Sequence, residues 1–348
     1  RAAAQVLGQP TFARDKAPQV NDPAHPRSFR GGGDICGGRP VGVAKTGLTD
    51  CVHQVIEDVD RAGFGQRGVR RIVYLGGFVP CEGGLSEHLS SRAEVADALS
   101  IEGGPEVVWL GAAVILGAGS TSFEMLRYVG DRFPLIPVPA WMDNPIDPIS
   151  IRDLLHYLVP AADPERVPPG AYDIAGPDTT SYRGLLKTYA RASGQWHTGL
   201  PVWGLDTTLA SWVTGVVLPV PDGLAADLVE SLDYPMQASG TGLRDLVPDP
   251  EGGLLSVEDA IGRALSNRRP RPVNALADPH HLADSDPAWA GGDALRLRRL
   301  AAIVTPSIAR PGLGLVDAVP GPIAGALRTG LDILLTRARK VRLNGSRR

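Results

Sequence analysis

The chain has 348 residues, of which 43% are hydrophobic and 21% are charged, and these proportions argue against wholesale disorder. The three cysteines are widely spaced and form no CxxC pair, which argues against a disulfide framework and indicates a reducing, cytoplasmic compartment. The sequence contains no visible signal peptide. A membrane helix requires a run of about 18 uninterrupted apolar residues, and the sequence contains no such run.

Residues 1–67 are predicted to form a loop-rich segment. Proline and glycine recur every few positions, and only LTDCVHQVIEDVDRAGF has the apolar spacing of a helix. The stretch RGGGDICGGRPVGVAKTG is rich in glycine, but no apolar strand precedes it and no helix follows it directly, so it is interpreted as a loop. The chain starts with Arg1 rather than Met, and a truncated or frame-shifted gene end is the simplest explanation of this segment.

From Gly68 onward, predicted strands and helices alternate. The apolar runs RRIVYLGG, EVVWLGAAVILG and AYDIAGPD predict three strands, of which the first two are buried. Between and after them, SEHLSSRAEVADALS, STSFEMLRYVGDRF, SIRDLLHYLVP and SYRGLLKTYARASG have the spacing of helices. This alternation is typical of βαβ units with a parallel sheet, so residues 68–199 are predicted to form an α/β core.

The ends of these helices carry sequence signals of their own. Thr121 stands three residues before Glu124, and Ser150 stands three residues before Asp153, which is the spacing of a capping box. Gly194 follows the last helix and suits a left-handed C-terminal position. These signals set the predicted helix boundaries.

The character of the sequence changes after this core. Residues 200–267 contain apolar helical segments and are predicted to form a helical lobe, whereas residues 268–295 are predicted to be an extended linker. His280 and His281 in that linker have no third ligand nearby in the sequence, so no metal site is predicted.

Residues 296–348 are predicted to be a basic helical tail. They carry 11 Lys or Arg residues and 2 Asp residues, a net charge of +9, so the preceding 295 residues carry −12 of the total of −3. A basic tail can dock on an acidic or membrane surface, but solvation is its more common role. The tail has no interleaved aromatic residues and matches no nucleic-acid-reading fold, so no nucleic-acid partner is predicted.

Six blocks of the sequence, taken together, indicate a family. GVRRIVYLGGFVP, LSEHLSSRAEVADAL, VVWLGAAVILGAGSTSFEMLRYVGDRFPLI, PISIRDLLHYL, YDIAGPDTTSYRGLLKTYA and VPDGLAADLVESL follow one another in this order within residues 68–267. They resemble the atypical short-chain dehydrogenase/reductase proteins of the NAD(P)-binding, NmrA-like and epimerase-like type. The resemblance implies a Rossmann-like α/β fold with a parallel sheet and a helical C-terminal substrate lobe. It also implies NAD(P) as the cofactor and an oxidoreductase or epimerase-like activity on a small molecule.

The N-terminal segment departs from this family. The resemblance places a first strand, a GxxGxxG turn and the residue that chooses between NAD and NADP before Gly68. None of them is recognisable in residues 1–67. The N-terminal half of the sheet is therefore expected to be incomplete, and a chain that cannot bind the cofactor is one alternative.

The reactive pair of the family is replaced in this chain. Many of these reductases carry Tyr-x-x-x-Lys on the helix after the strand RRIVYLGG, and the resemblance puts His88 and Arg92 at those positions. His88 is the candidate catalytic residue, because imidazole transfers protons near neutral pH. Arg92 is a candidate cofactor contact, because a guanidinium binds ribose or phosphate oxygens. The missing Tyr-Lys pair favours the alternative of a non-catalytic NAD(P)-binding sensor or regulator.

Further candidate cofactor contacts follow from the same resemblance. Gly76 and Gly77 stand where the serine of the family would lie. Gly111, Ala112 and Ala113 follow a strand whose end lies beside the nicotinamide in the family. Close packing is the alternative role for these small residues.

Five residues are candidate substrate contacts. Ser120 and Ser122 lie at a predicted helix N terminus, which attracts anions, although plain capping also explains them. Trp141, Asn144 and Arg152 flank the PISIRD turn, which faces the substrate cleft in the resembled family. A structural role is the alternative for each, and the oligomeric state is not predicted.

Overall fold

The computed structural model describes residues 68–78, 94–96, 98–100, 104–133, 135–194, 198–202, 229–240, 242–266, 269–292 and 295. The predictions for residues 1–67 and 296–348, most of the predicted helices between 200 and 235, and the candidates His88 and Arg92 lie outside these described residues.

The described elements alternate between short strands and helices. The strands are β1 (Arg71–Gly76), β2 (Glu106–Gly111), β3 (Ile115–Leu116), β4 (Leu135–Val138), β5 (Pro145–Ile146), β6 (Ile149–Ser150), β7 (Gly170–Asp173), β8 (Thr180–Ser181) and β9 (Thr198–Pro201). The α-helices are α1 (Thr121–Arg132), α2 (Ile151–Ala161), α3 (Tyr182–Ser193), α4 (Gly242–Leu246) and α5 (Val257–Ser266). Short 3-10 helices cover Ala140–Asp143 and Val273–Ala275.

The main sheet is parallel. Its strand order is β1-β2-β7, and its register sets Gly76 opposite Gly111 and Gly111 opposite Asp173. All three strands therefore end at the same edge of the sheet. Among the shorter strands, β3 pairs with β6 and β4 with β9 in parallel, whereas β5 and β8 are antiparallel. The predicted α/β class with a parallel sheet is confirmed.

The central strand β2 is covered on both faces. Its side chains alternate between the two faces, as they do in every strand. Trp109 joins Tyr74 and Ala96 on one face, and Val108 and Leu110 join the apolar stripe of α2 on the other. Burial on both faces explains why EVVWLG is apolar at nearly every position rather than at alternate positions.

A second apolar cluster connects the helices α1, α3 and α5. Its fully buried members are the side chains that these helices turn inward at helical spacing. They include Phe123, Leu126, Leu185, Leu186, Tyr189, Ala260, Ile261 and Ala264. The same cluster includes Phe78 and Val114, which follow β1 and β2, so the helices pack directly against the carboxyl edge of the main sheet.

Two of the predicted helix-end signals form in the structure. The Oγ atom of Ser150 accepts hydrogen bonds from the backbone N–H groups of Arg152 at 3.1 Å and Asp153 at 3.4 Å, so it caps α2. Helix α3 ends at Gly194, whose φ of +68° is the left-handed conformation that glycine adopts without strain.

The capping box predicted at Thr121 is wrong. Helix α1 begins at Thr121, its N-cap residue is Ser120, and the Ser120 side chain makes no capping hydrogen bond. The carboxylate of Glu124 accepts a hydrogen bond from the backbone N–H of Gly119 at 3.2 Å, one residue before the N-cap. Glu124 is fully buried, and its carboxylate also binds Arg127 and the backbone of residues 291–292.

Residues 269–292 pack against the core, in contrast to the extended linker that the sequence predicted. Leu282 is 1% exposed and belongs to a small apolar cluster. Glu124 of α1 accepts hydrogen bonds from the backbone N–H groups of Gly291 at 3.0 Å and Gly292 at 3.2 Å. A buried carboxylate requires such donors, so this segment and α1 stabilise each other. No helix in the described part of the chain is long and apolar enough to cross a membrane.

Candidate functional site

The carboxyl ends of β1 and β2 lie side by side at one edge of the main sheet. The N–H of Ala112 donates to the carbonyl oxygen of Gly76 at 3.1 Å, and the N–H of Ile174 donates to that of Gly111 at 2.8 Å. The sheet is therefore hydrogen-bonded up to its last residues. In parallel α/β sheets ligands bind at this edge, so the residues that follow these strands are the first candidates for a site.

A cleft opens over this edge, between the strand ends, helix α1, the start of α3 and residues 231–236. Its lining residues are Gly77, Ala112, Ala113, Val114, Ser122, Met125, Tyr182, Ser231, Leu232 and Met236. The structure thus brings together four of the residues predicted as contacts, namely Gly77, Ala112, Ala113 and Ser122. They come from two loops that follow strands and from the first turn of a helix.

The predicted contacts Gly76 and Gly111 have a packing role. A Cβ atom on Gly76 would lie 2.6 Å from Nε1 of Trp109, and a Cβ atom on Gly111 would lie 2.7 Å from Oδ1 of Asp173. Both distances are too short for a real carbon contact, so only glycine lets the indole and the carboxylate lie this close. Close packing is therefore sufficient to explain both glycines.

Asn144 holds the far wall of the cleft in place. Its Nδ2 atom donates to the carbonyl oxygens of Leu232 and Asp233, both at 2.9 Å. Asn144 ends a 3-10 helix, and this rigid position aims its amide at the wall. Asn144 was predicted to contact the substrate, but the structure places it behind residues 231–236 rather than among the residues that line the cleft.

Two aspartates that the sequence analysis did not single out hold the next part of the same wall. Oδ2 of Asp147 accepts a hydrogen bond from the N–H of Ala238 at 3.0 Å. Oδ2 of Asp173 accepts two from Ser239, at 2.8 Å from its N–H and 2.5 Å from its hydroxyl. Burial raises the pKa of Asp173, although these hydrogen bonds oppose that change. No local motif marks either aspartate, because their partners lie far away in the sequence.

The candidates Trp141 and Arg152 make structural contacts. Trp141 packs against the cluster of α1, α3 and α5. Arg152 donates from Nε to Asp153 at 2.7 Å and from Nη2 to the carbonyl oxygen of Gly253 at 2.8 Å. Neither side chain is among the residues that line the cleft.

The N terminus of α1 is a poor place for an anion. Oε1 of Glu124 already accepts the N–H of Gly119, and the carboxylate of Asp286 lies within 2.7 to 2.9 Å of the position that a Cβ on Gly119 would take. An anion there would meet negative charge, which opposes the attraction of the helix dipole. Ser120 is therefore explained as the N-cap residue, whereas Ser122 faces the cleft.

A buried chain of hydrogen bonds joins Ser150, His280 and Asp278. Oγ of Ser150 lies 3.0 Å from Nε2 of His280, and Nδ1 of His280 lies 2.6 Å from Oδ1 of Asp278. Desolvation lowers the pKa of His280 although Asp278 opposes this, so the neutral ring donates from Nδ1 to Asp278 and accepts the Ser150 hydroxyl at Nε2.

This Ser-His-Asp arrangement is structural. Ser150 is 1% exposed and His280 is 0% exposed, so no substrate reaches the Ser150 hydroxyl. The serine of a hydrolase triad must be accessible to its substrate. The chain of hydrogen bonds attaches residues 278–280 to the start of α2. No three His, Cys, Asp or Glu side chains converge as a metal site within the described residues.

Tyr182, the first residue of α3 and the bearer of a phenolic hydroxyl group, also lines the cleft. Burial raises the pKa of this hydroxyl, so it stays protonated and can donate a hydrogen bond at neutral pH. Neither Tyr182 nor Ser122 makes a side-chain hydrogen bond to another residue that the structure describes. No sequence signal marked Tyr182, because the residue four positions later is Leu186 rather than the lysine of a reductase pair.

The described lining of the cleft leaves room for a flat ring but offers no cationic side chain to a phosphate. Gly77, Ala112 and Ala113 carry no side chain larger than a methyl group, so the strand ends are open to a flat ring. No Lys or Arg is among the described residues that line the cleft. Donors for a pyrophosphate would have to come from outside the described residues.

Comparison with known proteins finds remote structural similarity only. No protein-family model matches the sequence, and no curated protein matches it. A nucleoside-diphosphate-sugar epimerase from Staphylococcus aureus is 15% identical, with a TM-score of 0.44 over 63% of this chain and 74% of that chain. An NADPH-dependent quinone oxidoreductase from Escherichia coli is 16% identical, with a TM-score of 0.42 over 61% and 72%. The Citrobacter sp. triphenylmethane reductase is 16% identical, with a TM-score of 0.41 over 63% and 71%. At these values the similarity carries no activity, cofactor or ligand over to this chain.

Proposed function

We propose that the chain is an NAD(P)-binding oxidoreductase or epimerase-like protein of the atypical short-chain dehydrogenase/reductase type, acting on a small molecule. The observation that carries this proposal is the cleft over the carboxyl edge of the parallel sheet, where Gly77, Ala112 and Ala113 meet Ser122. Parallel α/β sheets bind ligands at this edge. The six sequence blocks that resemble the family support the same assignment.

The small residues at the strand ends would hold the nicotinamide ring of the cofactor. Gly77 follows β1, and Ala112 and Ala113 follow β2, so a ring could lie against the backbone of both loops. NAD(P) would supply the hydride or accept it when bound. For the ring to bind there, the backbone at the strand ends must stay accessible from the cleft.

The opposite side of the cleft would position the substrate. Tyr182 and Ser122 both line the cleft, and their hydroxyl groups would donate hydrogen bonds to a substrate oxygen. Leu232 and Met236 on the wall are buried apolar side chains that exclude water from it. Together these residues would orient a small molecule against the ring.

A non-catalytic NAD(P)-binding sensor is the second candidate function. The observation that favours it is the absence of Tyr-x-x-x-Lys, with His88 and Arg92 at the matching positions. The described lining of the cleft contains no lysine that could take over that role. A sensor would bind the dinucleotide without transferring a hydride.

Titration of NADPH and NADH into the full 348-residue chain tests the proposal, with quenching of its six tryptophans as the signal. We expect saturable binding. Ala113→Phe fills the cleft and should weaken binding by about tenfold or more. Ala162→Phe is the matched control, because Ala162 is exposed and follows Ala161, whose carbonyl accepts a hydrogen bond from Arg71 at the opposite edge of the sheet.

Two results would contradict the proposal. One is the absence of NADPH and NADH binding by a wild-type chain that circular dichroism shows to be folded. The other is equal binding by the Ala113→Phe and Ala162→Phe variants, since the ligand would then bind elsewhere. If binding is seen, loss of the reduced-nicotinamide absorbance with a panel of carbonyl compounds separates the oxidoreductase from the sensor, which binds NADPH without turnover.

A further inference from the structure

We propose that the cleft takes an uncharged, largely apolar ligand that carries a hydrogen-bond acceptor, and that the hydroxyl group of Tyr182 is the donor to that acceptor. This inference rests on the proposed function and deepens it, because it names the substrate class of the same cleft.

The lining of the cleft is apolar on most sides. Val114, Met125, Leu232 and Met236 are all at most 8% exposed, and they form its hydrophobic surface. Contact with such a surface stabilises an apolar ring or chain in proportion to the area removed from water. A charged group in the same place would lose its hydration without a partner.

Two arginines on the neighbouring helices are paired with carboxylates. Arg127 of α1 binds Glu124 at 3.1 Å, and Arg183 of α3 binds Asp143 at 2.8 Å. Neither arginine lines the cleft. A diphosphate, as found in sugar nucleotides, would therefore meet no cationic side chain among the described lining residues. The charges around the cleft favour a neutral ligand.

The polar side-chain groups of the lining are the hydroxyl groups of Ser122, Tyr182 and Ser231. Those of Tyr182 and Ser122 make no side-chain hydrogen bond within the described part of the chain. Tyr182 is held firmly, because its ring packs against the cluster of α1, α3 and α5. Its hydroxyl therefore has a fixed position and needs an acceptor, which a carbonyl or ether oxygen of the ligand supplies.

The probe for this inference is 6-propionyl-2-(dimethylamino)naphthalene, an uncharged aryl ketone whose fluorescence reports the polarity around it. It is titrated into the full chain in the absence and in the presence of saturating NADPH. We expect saturable binding with a blue-shifted emission. Uridine diphosphate glucose, a charged molecule with a sugar, should not displace the probe.

Three variants identify the residues responsible. Tyr182→Phe keeps the ring and removes the donor, so probe affinity should fall about threefold to tenfold. Ser122→Asp introduces a carboxylate into a cleft whose described lining offers it no cationic side chain, so affinity should fall by about tenfold. Tyr172→Phe is the control, because the Tyr172 hydroxyl donates to the carbonyl of Pro168 at 3.0 Å and not to the cleft.

The outcomes separate this inference from the proposed function. It is overturned if a folded chain does not bind the probe, if Tyr182→Phe binds it as tightly as Tyr172→Phe, or if uridine diphosphate glucose displaces it. Probe binding that Tyr182→Phe weakens, in a chain that binds neither NADPH nor NADH, supports the ligand class and rejects the oxidoreductase. NADPH binding without probe binding supports the NAD(P)-binding function and rejects the proposed ligand class.

Discussion

The side-chain amide of Asn144 donates a hydrogen bond to the carbonyl oxygen of Leu232 at 2.9 Å, and Leu232 lines the cleft. The same amide also holds Asp233. Asn144 thus holds the wall of the cleft and would affect a ligand through it rather than by direct contact. This contact connects the turn before β5 to the far side of the cleft, which is why the wall depends on a residue distant in sequence.

The Asn144→Ala variant should loosen this wall. The carbonyl oxygens of Leu232 and Asp233 lose their donor, so we expect the free energy of unfolding to fall by about 1 to 3 kcal/mol. Affinity for NADPH and for the aryl ketone should fall in parallel. Urea unfolding and fluorescence titration measure both effects. Asn274→Ala, at an exposed asparagine, is the control, and equal behaviour of the two variants would refute the positioning role.

The Ser150→Ala variant should lower the free energy of unfolding by more than the loss of a helix cap alone would. The substitution removes the cap of α2 and also the donor to Nε2 of His280, so we expect the free energy of unfolding to fall by about 2 kcal/mol or more. Ser256→Ala serves as the comparison. Oγ of Ser256 accepts the N–H of Asp259 at 3.1 Å without a histidine partner, and its loss should cost about 1 kcal/mol. Equal losses in urea unfolding would show that the contact with His280 contributes nothing.

The stability of the protein should depend on pH through His280. Desolvation lowers its folded-state pKa below the ordinary 6.5, so the unfolded chain binds the proton first as the pH falls. The contribution of neutral His280 to the stability of the folded chain is therefore complete above pH 6.5. It is lost as the pH falls through the lower folded-state pKa. His280→Gln should be less stable at pH 7 and should show a shallower pH dependence between 7 and 5. An unchanged slope in urea unfolding at several pH values would be evidence against a buried neutral imidazole.

The Glu124→Ala variant should be among the most destabilising single changes in the described core. Glu124 is fully buried, and its removal breaks the ion pair with Arg127 and takes the side-chain acceptor away from three backbone N–H groups. We expect the free energy of unfolding to fall by about 3 to 5 kcal/mol. Glu106→Ala breaks an ion pair with Arg71 in which the glutamate is 51% exposed, and it should cost less than about 1 kcal/mol. Similar midpoints of urea unfolding for both variants would contradict this difference.

The features that sequence analysis predicted correctly are local ones. The strand RIVYLG, the cap at Ser150 and the left-handed Gly194 depend on residues within a few positions of one another. The role of Glu124 was not predictable in this way, because its partner Gly291 lies 167 residues away. The spacing of Thr121 and Glu124 suggested a cap, but burial of the carboxylate gave it other partners.

The same limit applies to the candidate site. Family resemblance predicts Gly77, Ala112 and Ala113 as contacts and a helix N terminus predicts Ser122, and the structure places all four in one cleft. The hydroxyl of Tyr182 was missed, because its position in the cleft depends on how α3 packs against α1, and no short motif encodes that packing. His280 was expected in a linker, yet its partner Ser150 lies 130 residues earlier in the chain.

Hydrogen–deuterium exchange of the full chain with saturating NADPH tests most directly whether the cleft at the carboxyl edge is the dinucleotide site. We expect slower exchange in peptides that cover residues 110–116 and 229–238, because these segments form the two sides of the cleft. Peptides over residues 160–170, which lie at the opposite edge where Arg71 binds Val167, should be unchanged. Unchanged exchange on both sides of the cleft, with or without protection elsewhere, would show that the dinucleotide does not bind in this cleft.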